Sequence, residues 1–164
     1  MTTLGGGSGG GGFRCFSIPD KADQLKPVGE DARGRADLVV VGGERHDDSF
    51  DLITRALSSL GEIVTVDLAI AASGRHNYGF IGPDRTPVVT LPGDPISAYI
   101  SLELFVRPMI RTMLGSSNIH RPSVRARLER SIASTSGART YIRAFLSEDG
   151  RSVRALSDQD DMAT

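Results

Sequence analysis

The sharpest chemical signal in this 164-residue chain is Leu91-Pro92-Gly93-Asp94-Pro95. It lies between an apolar, β-branched run, Pro87–Leu91, and a stretch that reads as a helix. Gly93 permits a tight turn, and a helix opening at Pro95 directs unpaired N–H groups and the positive end of its dipole outward. That combination suits a phosphate or another oxyanion. A plain strand-to-helix turn with proline in first position has the same sequence, so the turn alone leaves both readings open. Asp20 and Asp51 are carboxylates at helix starts; taken alone, one is an N-cap and the other a first-turn charge. His46 beside Asp47 and Asp48 lacks the spacing of a metal-ligand set and reads as a solvated loop. His76 and His120 are isolated, and Cys15, in the apolar-rich run Phe13–Ile18, reads as a small core residue rather than a nucleophile.

Charge is unevenly spread. The net value is −1, yet ten arginines face three acids (Glu129, Glu148, Asp149) between Arg107 and Arg154. Such a segment can meet phosphates or nucleic acid, but in a chain with two lysines it reads first as a solvated strand surface, and no nucleic-acid partner is expected. No run approaches the roughly 18 apolar residues of a membrane span, so no membrane partner is expected either. The first residues, Met1-Thr2-Thr3-Leu4, lack the basic and apolar regions of a signal peptide, and a single cysteine suits a reducing compartment; cytoplasm is the expectation.

The segments that must position these groups follow in chain order. Residues 5–12 are glycines broken by one serine; with no Gly-Lys-Ser/Thr following, they read as a flexible tether rather than a phosphate loop. A strand over Phe13–Ile18 and a helix-like start over Asp20–Arg33, weakened by Pro27 and Gly29, come next. Asp37–Val41, ending in Gly42-Gly43, reads as a strand buried on both faces of a parallel sheet. A helix over Ser49–Leu60 follows, with Asp48 as N-cap, Asp51 at the third helical position and Gly61 closing the far end. Strands are expected over Glu62–Ile70, Tyr78–Ile81 and Pro87–Leu91. The clearest helix is capped by Asp94 and runs to Val106, with Pro108 kinking it or dividing it from Met109–Leu114. Beyond Gly115 the period changes to two over Val124–Ile132, and Thr140–Leu146 and Ser152–Leu156 continue in β fashion through Ser-Gly and Asp-Gly turns. This is an α/β arrangement followed by a short antiparallel β module.

Several of these segments together resemble one family. Leu91-Pro-Gly-Asp-Pro-Ile-Ser-Ala98 with Glu103-Leu-Phe-Val-Arg-Pro108 is similar to the Leu-Pro-Gly-Asn-Pro-Val-Ser-Ala motif and following helix of the molybdopterin molybdotransferases, the family that includes the gephyrin E domain. Ala36–Gly43 with Asp51 eight residues later, Ile18-Pro-Asp20 with Leu25, Gly137–Arg143 and Val153–Leu156 resemble further parts of it, in the same order. The resemblance implies a truncated three-layer α/β molybdopterin-binding (MogA-like) domain over 13–116, after a flexible segment 1–12, and a partial carboxy-terminal β domain over 117–164. It implies molybdenum cofactor biosynthesis: insertion of molybdate into adenylylated molybdopterin (molybdopterin-AMP) with Mg²⁺. Asp20 and Asp51 would hold metal or substrate and act catalytically. Gly42, Gly43, Pro92, Gly93, Asp94 and Pro95 would shape the anion pocket, with Arg75 and Arg143 as its cations, Arg143 also reading as a packing residue beside Tyr141 and Phe145.

The chain departs from that pattern in its charges. Val66–Arg75 carries an aspartate and alanines where the family has a Lys-Pro-Gly-Lys-Pro pattern, leaving Arg75 as the one substitute cation. Asp94 stands for the usual asparagine, Gly42–Asp48 for a Gly-Gly-Val-Ser-Val-Gly loop, and Asp158–Met162 for Gln-Gly-Ser-Gly. The family's two amino-terminal domains and the first strand and helix of this one have no counterpart, and those domains help complete the active site from the partner subunit. Substrate binding is therefore expected to be weak or absent. An exposed apolar sheet edge favouring a homodimer is expected, and a non-catalytic binding or scaffold module is the alternative reading. The turn before Pro95 and Asp51 are expected to face one cleft.

Overall fold

The computed structural model describes Gly11 and residues 35–42, 47–71, 74–134 and 136–156. The expected strand over Phe13–Ile18, the helix over Asp20–Arg33, Cys15 and Asp158–Met162 lie outside the described residues.

Chain order is β1 (Val39–Gly42), α1 (Asp47–Ser58), β2 (Gly61–Asp67), β3 (Arg75–Ile81), β4 (Thr86–Leu91), α2 (Pro95–Ser101), a π-helical turn (Leu102–Val106) and α3 (Arg107–Met113). The four strands form one sheet in the order β1-β4-β3-β2. β1 runs parallel to β4, with Gly42 opposite Leu91, while β3 is antiparallel to both β4 and β2. Alternation along the strands feeds two cores. Ile53 and Leu57 of α1 pack with Ile81 and Val88, flanked by Val39, Val41, Leu60 and Ile63. Val89 and Leu91 turn to the other face, meeting Leu102 and Val106, with Leu38, Val40, Ala98 and Ile110 around them. Each fully buried Val, Leu or Ile contributes about 1.5–3 kcal/mol, and these two clusters give the helix–sheet–helix layering that the sequence implies.

α1 starts two residues earlier than expected and ends at Ser58, so Asp48 lies inside it and Asp51 is its fifth residue rather than its third. Gly61 does not close that helix. It is the first residue of β2, opposite Ile81, and a Cβ there would collide with the Phe80 carbonyl and lie 2.8 Å from the Ile81 Cα. Glycine is required by strand approach, not by a left-handed cap. Pro108 breaks nothing. The turn before it widens to π geometry, with the Arg107 N–H donating to the Leu102 carbonyl, which absorbs the missing proline donor and the ring's steric demand. The far end of α3 is closed by Gly115 at φ +68°: its N–H donates to Thr112 and that of Ser116 to Arg111, the 5→2 and 6→1 pair of a Schellman ending.

The terminal segment contains less sheet than its alternation suggests. Among its described residues, β5 (Arg127–Leu128), β6 (Ala144–Leu146) and β7 (Ser152–Ala155) form, in the order β5-β7-β6. The module is not purely antiparallel, because β5 pairs with β7 in parallel. The Asp149-Gly150 turn does join β6 to β7, Gly150 taking φ +68° and donating to the Ser147 carbonyl. Val39, Val40 and Val41 are half-buried, whereas the sheet's exposed large apolar side chains are Val64, Tyr78 and Phe80 on β2 and β3.

Candidate functional site at the carboxyl edge of the sheet

Gly42 and Leu91 end adjacent parallel strands. From Gly42 the chain passes to α1 on one face, and from Leu91 it passes to α2 on the other. Adjacent parallel strands whose following helices diverge to opposite faces leave a crevice at their carboxyl ends, the place where open α/β sheets receive ligands. The amino end of β3 reaches this edge too, since its antiparallel register carries Arg75 past Tyr78, which faces Val89. Asp67, opposite Arg75, ends β2 there.

The Leu91–Pro95 turn is built as a capped helix start. Asp94 has extended backbone angles (φ −69°, ψ 126°), and its Oδ2 accepts the Ser97 N–H at 2.9 Å. Its carbonyl accepts the Ala98 N–H at 2.8 Å, and Pro95, first in the helix, has no N–H to give. The turn thus carries its own carboxylate on the Ser97 amide, one that an incoming anion would use. That corrects the picture of an open N-terminus. Pro92 is half-buried and Gly93 exposed.

Asp51 is exposed, on the flank of α1 beside the stripe Phe50, Ile53, Thr54 and Leu57 that faces the sheet. Asp51 and the turn share the carboxyl edge but sit on helices covering opposite faces, so a cleft on a single face is corrected to a crevice straddling the edge. Arg75 pairs with Asp67 at 3.5 Å, and its guanidinium lies 5.4 Å from the centroid of the Phe50 ring, against the first turn of α1. Arg143 is half-buried just before β6, its carbonyl accepting the Leu156 N–H at 3.0 Å. Because the strand begins only at Ala144, Arg143 and Tyr141 are not on a strand face with Phe145. Asp20 and Gly43 lie outside the described residues. Among the described residues no three His, Cys, Asp or Glu side chains gather as a metal centre.

Three polar constructions at or near this edge had no local sequence signal. Asn77, 1% exposed, donates its backbone N–H to Thr90 Oγ1 at 2.8 Å and its side-chain amide to Thr54 Oγ1 at 2.7 Å, and accepts from Thr65 Oγ1 at 2.6 Å, joining β3 to β4, α1 and β2. His76, 3% exposed, meets the Ser101 hydroxyl at 2.8 Å through Nε2, with the Phe105 ring edge-on at 5.4 Å. Burial lowers its pKa, opposed in part by the Gly74 carbonyl. Glu103 takes a two-pronged pair from Arg121 at 2.7 Å on each oxygen, with Arg107 at 3.9 Å. The Arg121 hydrogen bonds are the main reason its pKa lies below the ordinary value. Glu103 and Arg107, two residues of the Glu-Leu-Phe-Val-Arg-Pro motif, thereby pin the linker: Arg107 also donates to the Ile119 carbonyl at 2.9 Å. Further on, the terminal module is stitched to the β2–β3 loop by a parallel bridge between Ile70 and Arg139.

No family model matches the chain. Molybdopterin molybdenumtransferase 1 of Mycobacterium tuberculosis is 33% identical over 136 residues, which is 83% of this chain and 32% of that protein. Molybdopterin molybdenumtransferase 2 of the same organism is 31% identical over 122 residues, 72% of this chain and 30% of the relative. The solved molybdopterin biosynthesis MoeA protein of Pyrococcus horikosii superposes on 96% of the chain with TM-score 0.78 and 26% identity, over 37% of its own length. This chain is a MoeA-like family member. A molybdenum cofactor biosynthesis protein of Pyrococcus furiosus shares the fold at TM-score 0.70 and 20% identity, over 96% of the chain. The MoeA-like chain spans about a third of the length of the curated relatives it matches.

Proposed function

We propose that the MoeA-like chain serves molybdenum cofactor biosynthesis as a molybdotransferase-type unit that binds adenylylated molybdopterin and molybdate at the carboxyl edge of its sheet. The observation that carries this reading is the divergence of α1 and α2 from the adjacent ends of β1 and β4. An anionic substrate there meets the positive dipole end of α1. Arg75 lines the same edge from the first residue of β3, and Pro92 and Gly93 shape the other side.

Mg²⁺ fits the described donor set in one way. Asp51 offers an exposed carboxylate, and Mg²⁺ is commonly held by one or two carboxylates together with substrate phosphates. Asp51, with Asp20 as the second carboxylate, would hold it, and the ion would screen the phosphoanhydride charge. The protein's own groups orient the phosphates and exclude water from one side of them. A homodimer and a cytoplasmic location belong to the same proposal.

Affinity in this chain is weak on the same physical grounds. Asp94 occupies the amide of Ser97 and adds a negative charge, and Arg75 is already paired with Asp67. Those two facts favour, as a second reading, a non-catalytic binding or scaffold module that keeps the fold. Calorimetry with adenylylated molybdopterin, with and without Mg²⁺, separates the two. Binding weaker than about 100 μM (roughly −5.5 kcal/mol) that strengthens with Mg²⁺ is expected. Micromolar or tighter binding establishes a competent enzyme site, and no binding at millimolar ligand leaves the scaffold reading.

A further inference from the structure

We infer that Arg139, carried by the terminal module, is an oxyanion-contacting residue of the carboxyl edge. The β2–β3 loop at this edge, Leu68–Gly74, contains no cation, and β2 ends there in Asp67. The terminal module reaches this loop through its backbone: the Arg139 N–H donates to the Ala69 carbonyl at 2.7 Å, and the Ala71 N–H donates to the Arg139 carbonyl at 3.0 Å. Two hydrogen bonds on one residue fix its backbone on the loop, and the bridge sets its Cβ beside that of Ile70. The guanidinium itself is exposed. Its partner is the Tyr141 hydroxyl, two residues further along.

Arg75 and Arg139 therefore hold unlike positions. Arg75 is paired with Asp67 at 3.5 Å and lies against Phe50. Among the described residues no carboxylate pairs with Arg139, whose one named side-chain partner is Tyr141. A guanidinium presents five N–H donors in a planar fork, so one phenol contact leaves paired donors for the two oxygens of a tetrahedral oxyanion. An anchored backbone, an oriented fork and no carboxylate partner among the described residues are the ingredients of an anion contact. The inference rests on the proposed function only for which anion arrives: a phosphate group of the substrate or molybdate, two tetrahedral oxyanions alike in this chemistry.

The test uses the full chain, ¹⁵N-labelled, titrated separately with pyrophosphate, molybdate and adenylylated molybdopterin. Arg139→Ala is expected to weaken pyrophosphate binding at least about tenfold, and Arg139→Lys to recover only part of it. Arg154→Ala, on an exposed arginine over Phe145, is expected to change it less than about twofold. Amide exchange at Ala69–Ala71 verifies that the bridge survives in each variant. Sensitivity to pyrophosphate assigns the contact to the phosphate end, and sensitivity to molybdate alone assigns it to the metal oxyanion; both support an oxyanion contact. Arg139→Ala within twofold of the parent chain, an equal loss in Arg154→Ala, or no saturable binding of either inorganic anion overturns it. If inorganic anions bind through Arg139 while adenylylated molybdopterin does not bind, the contact stands and the proposed substrate falls. If adenylylated molybdopterin binds equally well to Arg139→Ala, the substrate stands and the contact falls.

Discussion

Replacing Asp94 by asparagine separates its two roles. As an N-cap, the residue holds the Ser97 N–H at 2.9 Å, and asparagine caps about as well as aspartate. The lost charge–dipole interaction costs about 0.3–1 kcal/mol of stability. As a charge, the half-buried carboxylate repels any phosphate in the crevice. For a unit charge at about 8 Å and an effective dielectric of roughly 20–40, the repulsion is about 1–2 kcal/mol. Asp94→Asn should therefore tighten pyrophosphate and adenylylated molybdopterin binding roughly 5–30-fold while losing at most about 1 kcal/mol in urea unfolding. Titration calorimetry at low and high salt reads the first quantity, and the gain should shrink as salt screens it. Glu148→Gln, in the exposed β6–β7 turn, is the control for net charge. Unchanged affinity in Asp94→Asn, or an equal gain in Glu148→Gln, would refute the idea that this turn faces bound anion.

Other consequences follow from the packing. Gly61→Ala forces a Cβ into the Phe80 carbonyl, so it should destabilise the chain by about 1–3 kcal/mol, read as a lower urea midpoint with an unchanged slope. Arg121→Ala removes a two-pronged pair between an exposed guanidinium and a mostly buried Glu103 carboxylate, and a loss of about 1–3 kcal/mol is expected, with faster amide exchange through Asn118–Arg121. His76 has a folded pKa below its free value because it is buried. The unfolded chain then binds the extra proton first, so stability is full at neutral pH and falls as pH drops through the free value of about 6.5, by at most 1.36 kcal/mol per pH unit. Urea midpoints measured between pH 7.5 and 5 check this. His76→Gln should flatten that part of the profile, and an unaltered slope would assign it to other groups.

Much of the layering was legible because it is written locally. Val39–Val41 and Val88–Leu91 are short β-branched runs bounded by glycine or proline, and their alternation feeds two cores, as a parallel pair covered by helices on both faces must. The Asp94-Pro95 start and the Gly115 end of the helical stretch follow from cap chemistry. What the sequence hid is contact across distance. Gly61 looks like a helix terminator until Ile81 stands opposite it. Pro108 looks like a break until the π turn before it reroutes the Arg107 N–H. The alternating stretch Val124–Ile132 yields only a two-residue strand, because period two describes a strand only where a neighbour supplies the other half of the ladder. For the site, the turn and Arg75 were visible as residue types. That Arg75 is paired with Asp67 and that Arg139 is bridged to the loop are tertiary facts.

The most direct measurement is a map of amide shifts on adding adenylylated molybdopterin with Mg²⁺ to the ¹⁵N-labelled chain. Shifts are predicted at Gly42, Asp51, Gly93, Asp94, Ile96, Ser97, Arg75 and Ala69–Ala71, all at the carboxyl edge, with the opposite edge at Gly82–Thr86 silent. Shifts centred on Gly82–Thr86 and Asp37, or confined to the exposed face of β2 and β3 around Val64 and Phe80, would contradict the placement of the site.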